Sequence, residues 1–184
     1  MRILKVTELN EEVFMAQGPM TLVDSSFVQS LKIKASGNNR ERARLCAHRS
    51  VKDKVHEMLI VLPMGIYVRP HKHPNKSESF HIIEGNVDIV VFDDDGEIME
   101  VVRMGDYSSG KTFYWRLSES LYHMVIPRSQ IVIFHESTSG PFDRTISNVP
   151  APWAPEEHDE VSGQEYRKHV SILSGIKETS QSST

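Results

Sequence analysis

Two histidines one residue apart, His71 and His73, are followed five positions later by Glu78, within a run from Gly65 to Gly85 that otherwise reads as β-strand. Side chains two apart on a strand point to the same side, so this spacing aims both imidazoles at one point. Pro74, Asn75, Lys76 and Ser77 suit a tight connection that returns the chain, letting Glu78 enter from the neighbouring strand. His123, in a later strand-like run, is placed to complete the set. Three imidazoles and one carboxylate form a borderline nitrogen and oxygen set. It suits one divalent transition metal (iron, manganese, nickel, cobalt or zinc) and argues against calcium or magnesium, which prefer oxygen cages. An octahedral ion held by four protein donors keeps two positions open for water or substrate. A tetrahedral zinc with the same four would be closed and structural.

The elements that must carry these donors are mostly strands. From 57 to 137 one apolar run follows another: 58–62, 66–68, 80–83, 87–92, 98–102, 113–115, 123–126 and 131–134. Each is bounded by turn residues, and Asp93-Asp94-Asp95-Gly96 reads as the loop of a hairpin. Strands at this spacing without intervening helices predict an antiparallel sandwich or barrel. Before them, Asp24-Ser25-Ser26 resembles a helix N-cap, with Phe27, Val28 and Leu31 at helical spacing and Gly37-Asn38-Asn39 as the stop. Arg40, Arg42, Arg44, Cys46 and His48 share one parity, which predicts a strand with a basic face. After Gly140-Pro141 the chain is proline-rich, with Pro150, Pro152 and Pro155. Residues 162–174 suit a short helix with Tyr166, Val170 and Leu173 on one face, and the Ser/Thr-rich end from Glu178 to Thr184 reads as disordered. The expected organisation is an N-terminal segment with a short helix over 1–39, a barrel over 40–140, and a C-terminal arm over 141–184.

The totals bound the function. A chain of 184 residues with 25% charged and 39% apolar residues suits one globular domain. A net charge of -4 does not favour nucleic acid or anionic membrane as a partner. Cys46 is the only cysteine, so no intrachain disulfide forms. No apolar stretch has the length of a leader or a membrane span, so the expectation is a soluble cytoplasmic protein.

Other side chains extend the candidate site. Arg69, two residues before His71, suits an anionic substrate group, because guanidinium grips carboxylate or phosphate bidentately. Lys76 in the turn is a second substrate-binding candidate. Tyr67 shares the parity of Arg69 and is a candidate general acid. Of His135 and Glu136, at the end of a strand, one faces the cavity, and Glu136 is carried forward as the acid-base candidate. His81 has the wrong parity for a ligand, Cys46 reads as buried packing, and the arginines at 40, 42 and 44 read as a charged strand edge. Trp153 pins the C-terminal arm or joins a dimer contact, and a homodimer is expected.

The residues Gly65, His71, His73, Glu78 and Gly85 match the first signature motif of the cupin superfamily at every defined position. The second motif is kept only in part: His123 stands at its histidine, while Thr112, Ser118, Ser120 and Pro127 replace its glycines, proline and asparagine. A narrower resemblance rests on Arg42-Ala43-Arg44-Leu45, Val68 through Glu78, Phe92 through Gly96, Gly140 through Asp143 and Ala151 through Glu157. Over roughly residues 25–157 the chain resembles the WbuC family of cupin-fold metalloproteins. The resemblance implies a jelly-roll barrel with the metal inside, held by His71, His73, Glu78 and His123. It also implies an association with O-antigen polysaccharide gene clusters.

These observations predict an all-β, cupin-type antiparallel jelly-roll barrel that binds a metal. Its expected role is a metal-dependent enzyme on a small polar substrate, anionic or sugar-derived, with isomerase- or epimerase-like chemistry. An iron(II) dioxygenase and a non-catalytic ligand-binding or regulatory barrel are the alternatives.

Overall fold

The computed structural model describes residues 4–143 and 145–175. Its elements run β1 (Val6–Glu8), β2 (Val13–Ala16), α1 (Ser25–Ser36), β3 (Ala43–Cys46), β4 (Val55–Pro63), β5 (His71–Lys72), β6 (Glu78–Glu84), β7 (Asn86–Phe92), β8 (Ile98–Gly105), β9 (Tyr114–Leu117), β10 (Tyr122–Pro127), β11 (Ile131–Ser139), β12 (Val149–Pro150) and α2 (Glu160–Leu173). They form two sheets, one of seven strands in the order β1-β2-β3-β4-β11-β6-β9 and one of five in the order β12-β5-β10-β7-β8. The pairing of β2 with β3 is parallel, and the other pairings are antiparallel. The two sheets face each other as a jelly roll.

Alternation decides which residues fill the interior. Leu62, Phe80, Ile82, Val132 and Phe134 of the larger sheet meet Val87, Ile89, Val91, Met104 and Val125 of the smaller. The opposite parity of the larger sheet is covered by α1: Leu31 and Ala35 pack on Ala43, Leu45, Leu59, Val61 and Ile133. The Asp24 side chain accepts from the Phe27 N–H at 2.9 Å and starts that helix, and Gly37 ends it. The opposite parity of the smaller sheet, Val90, Phe92, Tyr122, Met124 and Ile126, is covered by Ala151, Ala154 and Val170 from the C-terminal arm and α2. Because β7 and β10 are covered on both faces, they read as nearly continuous apolar runs rather than alternating ones.

Gly85 and Gly163 are among the glycines that geometry demands. Gly85 has φ +86, and a Cβ there would collide with the Ile131 carbonyl oxygen. At Gly163 a Cβ would run into the Tyr67 ring, so α2 seats on that ring only without a side chain there.

The structure departs from the sequence expectations at the barrel's flanks. Strands β1 and β2, from the segment before residue 40, join the larger sheet, and β12 of the arm joins the smaller. Residues 66–68 form no strand. Helix α2 buries Gly163, Arg167, Val170 and Ser171, leaving Leu173 exposed. The segment 178–184 lies outside the described residues. No described helix is long and apolar enough to cross a membrane.

Candidate metal centre

At one end of the interior, polar residues replace the apolar filling. His123 on β10 pairs directly with His71 on β5, which places both on the smaller sheet. His73 follows β5 by one residue. Glu78 opens β6 in the larger sheet, between Leu117 and Thr138. Glu78 therefore reaches the histidines from the facing sheet, not from a strand beside β5, because β5 pairs with β10 and β12. One ring nitrogen from each of His71, His73 and His123 lies within 4.8 Å of the others. Glu78 presents Oε1 at 2.8 Å from His123 Nε2 and Oε2 at 3.4 Å from His73 Nε2. Glu78 and His123 are 3% and 0% exposed, so solvent does not satisfy these atoms.

The tautomers follow from the other side of each ring. His71 Nδ1 faces the Arg69 carbonyl at 2.9 Å, His73 Nδ1 the Ser147 carbonyl at 2.7 Å, and His123 Nδ1 the Leu121 carbonyl at 3.2 Å. A carbonyl only accepts, so each Nδ1 carries the hydrogen and each Nε2 turns a lone pair toward the centre. Glu78 Oε1 and His123 Nε2 are close, yet neither has a hydrogen-bond partner. Two buried electron-pair donors facing each other without a hydrogen between them are repulsive unless a cation lies among them. The donor set and its tautomers fit a divalent transition metal.

Burial and neighbouring charges compete at each of these groups. Burial first, then the imidazoles of His123 and His73, push His71 down to about 3, so it stays neutral. Burial opposes ionisation of Glu78, but His123 and His73 outweigh it and hold the carboxyl well below its ordinary range. Burial likewise opposes a charge on His73, and the Glu78 carboxylate reverses that and raises it.

The remaining sequence candidates scatter around this centre. Glu136 pairs with Phe80 and Met58, which puts it on the inward parity, two residues from the Thr138 that pairs with Glu78. Burial, then the Glu78 charge, raises Glu136 to about 7. His135 takes the outward parity opposite His81 and stands 3.8 Å from Glu57. Tyr67 is not in the centre. It packs beneath the arm and α2 on the outside of the smaller sheet, and its hydroxyl donates to the Pro155 carbonyl at 2.9 Å. The parity argument fails for Tyr67 because residues 64–70 are not a strand. Arg69 is committed to the protein: it donates to the Ala151 carbonyl at 2.8 Å and pairs with Glu156. The Lys76 ammonium donates to the Ser139 and Pro141 carbonyls at 2.7 Å each. Lys76 also lines an open surface cavity of about 470 Å³ with Ser77, Arg116, Ser118, Ser120 and Ser139, and none of the candidate ligands lines it.

Arg40 and Arg42 form a cluster with Glu12 and Glu157, at 2.5–3.0 Å, rather than a free basic edge. Cys46 is buried beside Val13 and Met58, and burial raises its thiol. His56 gave no signal in the sequence. Its ring stacks on His48 with centroids 4.0 Å apart, and both are buried. The three carbonyls that orient the candidate imidazoles were also missed, since every residue carries one.

Comparison with known proteins supports this architecture. A family model described as a domain of unknown function, DUF6016, matches residues 23–104. No curated protein matches. A structural-genomics target from Shewanella oneidensis superposes with a TM-score of 0.51 at 12% identity, over 75% of this chain and 85% of its own. That likeness shows the fold, a jelly roll of two facing sheets. The Cnp3 cupin domain of Schizosaccharomyces pombe aligns with a TM-score of 0.43 at 14% identity, over 55% of this chain and 66% of its own. Procruciferin, an 11S globulin of Brassica napus, aligns with a TM-score of 0.41 at 10% identity, over 48% of this chain. The chain spans only 21% of the procruciferin chain.

Proposed function

We propose that this cupin is a metal-dependent enzyme that moves a proton on a small, anionic, sugar-derived substrate, in the manner of an isomerase or epimerase. The observation that carries the metal half is the buried, unpartnered pair of Glu78 Oε1 and His123 Nε2, with every Nδ1 of the ligand histidines turned outward to a carbonyl. His71, His73, Glu78 and His123 hold the ion, drawn from iron, manganese, nickel, cobalt and zinc. A divalent ion bound there supplies Lewis acidity to a substrate oxygen, which makes a neighbouring C–H more acidic.

The chain's own residues supply the rest. Glu136 faces inward on β11, two residues from the Thr138 that pairs with Glu78, so it serves as the group that takes a proton from substrate and returns it. Lys76 and Arg116 line a surface cavity with serine hydroxyls and no carboxylate, which suits a phosphate or carboxylate on the substrate. The resemblance to the WbuC family, with its O-antigen association, supports a sugar or nucleotide-sugar setting.

The test is twofold. Metal analysis of the purified protein and of Glu78→Ala should show an ion in the first and loss of it in the second. Incubation with sugar phosphates and nucleotide sugars in deuterated water should incorporate deuterium, and Glu136→Gln should abolish that exchange. Full metal occupancy with no binding and no exchange across these substrates refutes the enzymatic reading, and oxygen uptake instead favours an iron dioxygenase.

A further inference from the structure

The segment 145–157 touches the metal centre at two ligands. The Ser147 carbonyl accepts from His73 Nδ1 at 2.7 Å. Pro150 of β12 pairs with His71 of β5, and Val149 with Lys72. Strand β5 is only two residues long, and its other edge pairs with β10 through a single position, His123 with His71. So short a strand does not hold itself, and half of its lateral support comes from this segment. The bond from the Ala151 N–H to the Pro70 carbonyl, at 2.8 Å, continues that support.

The segment is in turn clamped by residues just ahead of the ligands. Arg69 Nη2 donates to the Ala151 carbonyl at 2.8 Å while Nη1 pairs with Glu156. The Arg69 side chain is 12% exposed and Glu156 59%, so the sheltered attachment is the one to the Ala151 carbonyl and the ion pair adds a second point of contact near solvent. The backbone carbonyl of Arg69 accepts from His71 Nδ1. Arg69 thus orients His71 through its main chain and fixes the segment that orients His73 through its side chain. Trp153 anchors the same segment by packing against Phe92 and Tyr122, with its ring N–H donating to the Asp94 carbonyl at 3.1 Å.

We infer that residues 145–157 form a strap that is an integral wall of the metal centre, and that Arg69 is a positioning residue for metal binding through that strap, not a substrate ligand. The inference rests on the reading of His71, His73, Glu78 and His123 as metal ligands. Coupling between strap and ion is reciprocal: an ordered strap raises metal affinity, and the bound ion orders the strap by the same factor.

Two measurements test it on the full-length protein. In the first, zinc(II) affinity is measured by chelator competition for wild type, Arg69→Met and the control Lys32→Met, which removes the remote ion pair to Glu84. Arg69→Met keeps the aliphatic stem but loses both attachments. It should bind zinc about tenfold to a hundredfold more weakly, the cost typical of losing a group that orients a ligand. It should also alter the visible spectrum of the cobalt(II) form. Lys32→Met should match wild type in both. In the second, hydrogen exchange on wild type with and without zinc(II) should show added protection at Ala151 and its neighbours, beyond any change in the 86–105 hairpin. If wild type takes up no metal, the ligand reading falls and the strap's role falls with it. If wild type binds but Arg69→Met binds equally with an unchanged cobalt spectrum, or if zinc leaves strap exchange unaltered, only the strap inference is overturned. Should Arg69→Met not fold, the exchange experiment decides alone.

Discussion

Glu136 gives a quantitative check on the interior electrostatics. Its carboxyl rises from the ordinary 4.5 to about 7 in the folded, metal-free protein, through burial and then the neighbouring Glu78 charge. Between those two values the folded state holds a proton that the unfolded chain has released. Unfolding therefore releases a proton in this window, and stability falls as pH rises from about 4.5 to about 7. Raising a pKa by one pH unit is worth about 1.4 kcal/mol, so by pH 8 the native state has lost about 3 kcal/mol relative to a chain lacking this group. Glu136→Gln keeps the shape and removes the titration. In the metal-free protein it should be more stable than wild type at pH 8 by about 3 kcal/mol and nearly equal at pH 4.5. Urea unfolding of both proteins at half-unit pH steps, with a chelator present, reads this directly. A Glu136→Gln protein no more stable than wild type at pH 8 would refute the placement of this carboxyl in the interior. Adding zinc(II) should shrink the difference, because a nearby cation favours the ionised carboxylate.

Other outcomes follow from the same packing. Tyr67→Phe should leave metal content and deuterium exchange unchanged and cost about 1 kcal/mol in denaturant unfolding, the net worth of one hydrogen bond. Gly85→Ala combines a strained φ with a collision at the Ile131 carbonyl, so thermal unfolding should show a clear loss of stability with no selective effect on metal affinity. Phe134→Ala should destabilise by about 3–5 kcal/mol, because the ring fills the interior against Phe80.

Much of the candidate metal centre is written in side-chain identity, which a sequence displays. His71, His73 and Glu78 stand out because no packing rule asks for such residues at that spacing, and His123 follows from the next inward run of the same kind. The strand assignments were legible wherever alternation or apolar runs were clean, as in β4, β7 and β10, and α1 was legible from Asp24 and Gly37. The losses have a common origin. Parity counting assumes a strand, so it misplaced Tyr67 and Arg69, which precede the two-residue β5 in an irregular stretch ending at Pro70. Which sheet supplies Glu78 depends on pairing between segments far apart in the chain, and local periodicity holds no record of that register. The contributions of Ser147 and Leu121 come through carbonyls, and these are invisible because they are universal.

Three of the candidate donors belong to opposite leaves of the sandwich, Glu78 to one and His71 with His123 to the other. At the far end the leaves are joined by Leu62, Val132, Val87 and Met104, which need no ion. With a metal bound, the barrel would be shut at one end by oil and at the other by charge, like a book with a glued spine and a clasp. Withdrawing the ion should free the clasp alone, so a chelated sample would open at its mouth while its spine stays bound.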